Sequence, residues 1–296
     1  TATARARKWH AAHVTDYRPG RSVRTKSGAR ALSTVSWLGW GIGASLVASA
    51  IGLGPLVWVV VIGAPLAQTA AVQAQARRYN RVAQPGHLAL TAGDPSTAQH
   101  RFSVARAQFR WPGFLRRLGD YNRAVALIRE GQLDLALELL SDIDRRGGVL
   151  NLDGAIAGAL TLAHALAGHV ELAGEWLLET RRRYAAYTVA GIRVPAFAFI
   201  QSETAADLRA GDAETVRKRL ENQWTQLENS VTGNVLRPMR VLRAFALAQS
   251  SGPREAAIVD SMLSALRGTS TRDIEYLAAA WPEMATFMSA HGLIQA

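Results

Sequence analysis

From residue 118 to the C-terminus, apolar side chains recur three and four positions apart, and the recurrence breaks at intervals on a glycine. Such spacing puts the apolar residues on one face of an α-helix, a face that another helix must cover. Four stretches align on the break: GQLDLALELL from Gly131, GHVELAGEWL from Gly168, GDAETVRKRL from Gly211 and GPREAAIVDSML from Gly252. Each glycine follows one helical stretch and opens the next, and five residues on stand Ala136, Ala173, Val216 and Ala257. A tight turn needs a residue that tolerates positive φ, and two helices crossing closely need a small side chain at the contact. The pattern predicts stacked helix pairs and an all-α fold. The closing stretch TRDIEYLAAAWPEMATFMSAHGLIQA divides at Pro282 into one or two short helices, expected to cap the end of the stack.

Upstream the pattern is different. Residues 31–76 contain no charged side chain, a run of 46 residues against the roughly 20 that one helix needs to cross a bilayer. A Gly-Leu-Gly-Pro turn signal (Gly52 to Pro55) falls near the middle of the run. The run therefore predicts a helical hairpin with arms at 33–51 and 55–72, the second arm kinked at Pro65, which removes one helical hydrogen bond. A re-entrant wedge that never emerges on the far side is the alternative, since the turn carries no polar side chain. Gly39, Gly43, Ala44, Ala48 and Gly52 line one face of the first arm, allowing close packing against the second arm or against another copy of the chain.

Charge sharpens the topology. The chain has 296 residues and a formal net charge of +11, and only three of its 34 cationic residues are lysines. Residues 1–30 carry eight basic side chains against Asp16, and residues 77–117 carry eight arginines against Asp94. Both flanks of the uncharged run are thus basic, which places both in the cytoplasm by the positive-inside tendency. A two-pass hairpin satisfies this and a single span does not. The expected location is a bacterial inner membrane, with the mitochondrial inner membrane as the alternative, because the Arg-rich, acid-poor beginning also resembles a presequence.

The stretch HRFSVARAQFRWPGFLRRL interleaves aromatic and apolar residues with arginines. Such a mixture suits an anionic membrane surface, and Arg77, Arg78, Arg81, Arg106, Arg110, Arg116 and Arg117 are the expected headgroup contacts. Nucleic acid is the competing reading, disfavoured by the adjacent membrane segment, and the aromatics have the plainer role of packing on the first repeat. Residues 83–100, with two prolines and two glycines, read as an irregular connector. The organisation expected is a basic tail (1–30), a hairpin (31–76), a basic juxtamembrane connector (77–117) and a helical repeat domain (118–296).

Chemistry is sparse. With no cysteine, disulfides, thiolate metal sites and a thiol nucleophile are excluded. Phosphate-loop, dinucleotide and serine-hydrolase signatures are absent. His10 and His13 have helical spacing but no accompanying carboxylate, so no metal or other cofactor is expected. The sequence reads as that of a non-enzymatic protein.

Ala124, Leu127, Gly131, Ala136 and Leu140, then Leu160, Gly168, Ala173 and Leu177, stand at small or apolar positions of a recurring pattern. In these residues the chain resembles the tetratricopeptide repeat family, although its glycine spacings of 37, 43 and 41 exceed the family's 34 and the usual closing proline is missing. The resemblance implies an α-solenoid of about four to five helix pairs, with a groove lined by the first helix of each pair. Here those helices bring Asn122, Arg123, His164, Gln201 and Glu203 as groove positions for a protein partner. The function implied is a membrane-anchored scaffold, an assembly factor or accessory subunit of a membrane complex. The alternative is a structural protein that self-associates through its hairpin as a homo-oligomer.

Overall fold

The computed structural model describes residues 54–109, 113–146, 152–189, 196–230, 236–250, 255–267 and 269–295. Among them are eleven α-helices and no strand. In chain order these are α1 (Gly54–Thr91), α2 (Pro95–Gln108), α3 (Gly113–Arg129), α4 (Leu133–Arg145), α5 (Asp153–Ala167) and α6 (Val170–Val189). They continue as α7 (Ala196–Arg209), α8 (Ala213–Ser230), α9 (Arg237–Ser250), α10 (Ala256–Ser264) and α11 (Pro282–Ala290), with a 3-10 turn at Glu275–Leu277. Helices α1 to α10 form five successive pairs, and first members also meet across pairs: α1 with α3, α3 with α5, α5 with α7, α7 with α9. Each pair thereby covers its neighbour's apolar face, the arrangement of a one-dimensional helical stack.

The turns follow the predicted chemistry. Gly131, Gly168 and Gly211 adopt φ of 77°, 82° and 86°, where a side chain is strained. Five residues on, Ala136, Ala173 and Val216 are buried at helix contacts. Gly93 repeats both features, with φ of 77° and Ala98 fully buried five residues later. The stack therefore begins one pair earlier than the periodicity from residue 118 suggests. At the other end Gly252 lies outside the described residues and Ala257 is exposed, so α10 packs instead through Val259 and Leu263.

The irregular connector expected over residues 83–100 is helical except for a short turn. Helix α1 runs unbroken through Pro65 and Pro85, and Pro95 starts α2, where the missing N–H is one no helix needs. Asp94 caps α2 by accepting from the backbone N–H of Thr97 at 3.0 Å. Gly86 is what lets α2 close on α1: a methyl group there would lie 2.7 Å from the Phe102 ring. Phe102, Phe109 and Leu115 are buried around Tyr79, Ala83 and Ala105, so these apolar residues of the basic stretch pack the first repeat rather than a lipid interface.

Residues 269–295 do not cap the stack. They fold back along the first-member helices, burying Ile274, Tyr276, Leu277, Trp281, Met284, Met288 and Leu293 in the main core. Among the described residues no helix is long and apolar enough to cross a membrane. The first arm of the expected hairpin, with Gly39, Gly43, Ala44, Ala48 and Gly52, lies outside the described residues.

Candidate functional site

Two surfaces concentrate the polar residues of this fold: the first-member face and the edge from which α1 runs back toward Gly54. On the first, Tyr276 is the centre. Its phenolic oxygen accepts from Gln201 Nε2 of α7 at 2.6 Å, and the Arg129 guanidinium of α3 lies 4.4 Å over its ring. Arg129 Nη1 also donates to the Asp273 carbonyl at 3.2 Å, while the Asp273 carboxylate meets Arg237 of α9 at 3.3 Å. Further along, Arg209 stacks 5.1 Å over Trp281 and donates to Glu283 at 2.9 Å. Three helices far apart in sequence, α3, α7 and α9, are thus joined through one returning segment.

Burial pushes the Tyr276 hydroxyl pKa up, against the opposing effects of Arg129 and Gln201, and pushes the Asp273 carboxyl up against Arg237 and Arg129. Beside Tyr276 opens a pocket of about 320 Å³ between the Gly93 turn, Arg129, Glu130 and Glu275. The segment itself is no removable plug. Seven buried apolar side chains at roughly 1.5–3 kcal/mol each contribute about 10 kcal/mol or more, comparable with the whole stability of a domain.

The expected groove residues do not converge on an open channel. Asn122 donates to Tyr79 at 3.1 Å and ties α3 to α1. Arg123 stands 3.8 Å from Asp120 on its own helix. His164 is fully buried, with its Nδ1 3.3 Å from that of His169 across the Gly168 turn. Glu203 accepts from Arg181 at 2.6 Å and forms an ion pair with Arg219 at 3.0 Å, joining α7 to α6 and α8. Only Gln201 faces the returning segment, and four of the five are buried. Their polar character serves contacts between repeats. The residues that do organise this face, Tyr276, Arg129 and Asp273, carried no motif; the only hint was three aromatic residues in an otherwise small-residue tail.

Among the described residues His164 and His169 bring two imidazole nitrogens together. Among the described residues no third His, Asp or Glu joins them to complete a ligand set. One ring N–H donating to the other ring nitrogen accounts for the distance, and burial lowers the His164 pKa to about 4, consistent with a neutral ring.

The second surface gathers the basic residues. Tyr79 of α1 meets Phe109 at the end of α2 with ring centroids 5.5 Å apart, and Arg106 of α2 pairs with Asp120 of α3. Gly119 passes so close to Arg106 that a Cβ there would lie 2.9 Å from the arginine's own Cβ. The start of the packed part of α1, the end of α2 and the start of α3 therefore share one edge of the stack. Arg77, Arg78, Arg81 and Arg116 are exposed there, and Arg117 is half-buried. Arg106 is committed to Asp120, and Arg110 lies outside the described residues.

No protein-family model matches the chain, and no curated protein or solved structure is significantly similar to it. The architecture that fold and site define is an all-α stack of helix pairs, bound along one face by its own C-terminal segment.

Proposed function

We propose that this protein is a membrane-anchored scaffold of tetratricopeptide-like type, holding a protein partner beside the bilayer as an assembly factor or accessory subunit of a membrane complex. One observation carries the reading. The uncharged run ends at Ala76 within α1, and the same helix goes on to the packing residues Tyr79, Ala83 and Gly86. Anchor and stack share a single rod of 38 residues, about 57 Å long at 1.5 Å per residue. Retention at a membrane needs no stiffness, whereas presenting a partner at a set height does.

The returning segment already fills the first-member face, so the partner surface falls on the second members of the pairs. There Leu135 of α4 and Leu178 of α6 are 52% and 65% exposed, with Asp134, Glu138 and Glu171 on the same two helices. Exposed leucines flanked by charges of both signs, Arg181 and Arg182 standing one turn from Leu178, suit a helix or loop that brings leucine-sized pockets and a polar rim.

Carbonate washing of membranes and mild-detergent affinity purification test the two halves of the reading. The full chain is expected to stay in the membrane pellet and to retain a stoichiometric partner, while a chain beginning at residue 77 is expected in the supernatant. Retention of the shortened chain in the pellet would remove the uncharged run as the anchor. Recovery of the full chain alone would sink the scaffold role.

A further inference from the structure

Among the described residues, several arginines along the later repeats are matched with carboxylates: Arg146 with Asp142, Arg183 with Asp144 and Glu179, Arg219 with Glu203 and Asp207. Arg77, Arg78, Arg81 and Arg116 are exposed and have neither an ion pair nor a hydrogen-bond partner among the described residues. All four stand on the edge where α1 leaves the stack. Arg77 and Arg81 are one turn apart with Arg78 beside them, on the opposite side of α1 from the buried Tyr79, Ala83 and Gly86. Arg116 occupies the first turn of α3, where the helix dipole favours anions, so helix electrostatics does not account for its placement.

The opposite edge carries acids at its helix starts, some of them paired, as Glu214 is with Arg217 and Lys218, and it also carries Arg272 beside Asp94. The glycine turns carry Asp94, Asp134, Glu171, Asp212 and Glu214, acids at the starts of the second-member helices. First members of successive pairs run parallel, because each is separated from the next by one antiparallel helix. All of them therefore share the heading of α1, and the two edges of the stack face the two ends of that rod.

We propose that the arginine edge rests on an anionic lipid leaflet, so that the stack extends along the membrane surface with its glycine turns pointing away. The proposal rests on the anchored reading and adds the orientation and the lipid class. It holds whether the uncharged run spans the bilayer or dips into it, since in either case Arg77 is the first charged residue after the run. Phosphate oxygens of phosphatidylglycerol-type headgroups accept from the guanidinium groups, and each arginine at such a surface is worth roughly a fivefold gain in partitioning. Four unpaired arginines gathered on one edge, with acids at the helix starts of the other, give an anionic surface a reason to favour one orientation.

The absence of cysteine makes the test direct. Single cysteines replace exposed residues on the arginine edge (Gln108→Cys at the end of α2, Asn229→Cys near the end of α8) and on the turn edge (Gln132→Cys, Ala210→Cys). Each full-length variant is labelled with a fluorophore and reconstituted into vesicles of phosphatidylcholine with phosphatidylglycerol, doped with headgroup spin-labelled lipid. Labels on the arginine edge are expected to be quenched severalfold more than those on the turn edge. The contrast is expected to shrink in phosphatidylcholine alone and after combined R77E, R78E, R81E and R116E. Equal quenching of both edges in vesicle-bound protein overturns the orientation, and so does a contrast indifferent to anionic lipid and to the four arginines. If instead single-stranded RNA binds the detergent-solubilised chain, those reversals abolish binding, and phosphatidylglycerol has no effect, the edge is a nucleic-acid surface and the proposal falls. Flotation separates the two readings: protein absent from the vesicle fraction counts against the anchor, while vesicle-bound protein with equal edges counts against the orientation alone.

Discussion

Gln201 Nε2 donates to the Tyr276 hydroxyl at 2.6 Å, a buried hydrogen bond between residues 75 apart in the chain. The bond belongs to a contact that does more than close an end of the stack. It fastens the returning C-terminal segment to the middle of α7, while Arg129 holds the same ring from α3. Removing the hydroxyl with Tyr276→Phe keeps the ring and its cation contact but strands the Gln201 amide. The expected loss is about 1–3 kcal/mol in chemical denaturation, and Gln201→Leu combined with Tyr276→Phe is expected to recover part of it.

Two turn glycines with the same backbone conformation differ in surroundings. Gly211 has open space where a Cβ would go, whereas a Cβ at Gly131 would lie 3.0 Å from the Ala279 Cβ of the returning segment. Gly211→Ala is expected to cost about 1–2 kcal/mol from backbone strain alone. Gly131→Ala should lower the thermal midpoint further and loosen residues 269–295 in hydrogen exchange. Equal shifts for the two would mean that the segment does not press on this turn.

Burial holds the His164 pKa at about 4, below the ordinary value of 6.5. Between those values the unfolded chain binds a proton that the folded chain refuses, so stability is full above about pH 6.5 and falls as pH drops toward 4. The span corresponds to a few kcal/mol at most. Urea midpoints measured across this range should decline for the native chain, and His164→Leu should flatten part of the decline. An unchanged slope would mean that His164 is not the residue responsible.

Arg183 is 5% exposed and lies within 2.7 Å of carboxylate oxygens of both Asp144 and Glu179, while also donating to the Asp153 carbonyl at 2.9 Å. Arg183→Ala removes the buried cation that Asp144 and Glu179 share, Glu179 keeping its pair with Arg182, and is expected to cost about 3 kcal/mol. Arg217, paired with Glu214 and Glu221 on the solvent side of α8, is the control. Arg217→Ala should leave the thermal midpoint nearly unchanged, because water screens that cluster.

How far the chain reveals itself differs along its length. The turns at Gly131, Gly168 and Gly211 were legible because a positive φ and a small residue five positions on are local demands, met by local residues. Gly93 obeys the same rule but sits between Pro85 and Pro95, and the coil signals of those prolines outweighed it. The helical face opposite Phe102 decides that region: packing against α2 accompanies a helix that continues through Pro85, a residue that propensity alone would make a stop.

The candidate site was less legible. Asn122, His164, Gln201 and Glu203 were readable as polar residues on first-member helices, yet their partners are Tyr79, His169, Tyr276, Arg181 and Arg219, and no sequence pattern specifies such pairings. The same holds for the basic collar, where Arg106 and Arg116 look alike until the approach of α2 to α3 gives the first a carboxylate and leaves the second in solvent.

By itself the sequence determined an all-helical repeat, its turn chemistry, an uncharged run and the basic flanks around it, since periodicity, glycine and charge act over one or two helical turns. Only the tertiary structure decided that the C-terminal segment fills the first-member face, that the stack starts within the helix leaving the uncharged run, and which arginines stand unpaired. Those outcomes depend on contacts between residues tens to more than a hundred positions apart, and the energy of such a contact is set by geometry that no local window contains.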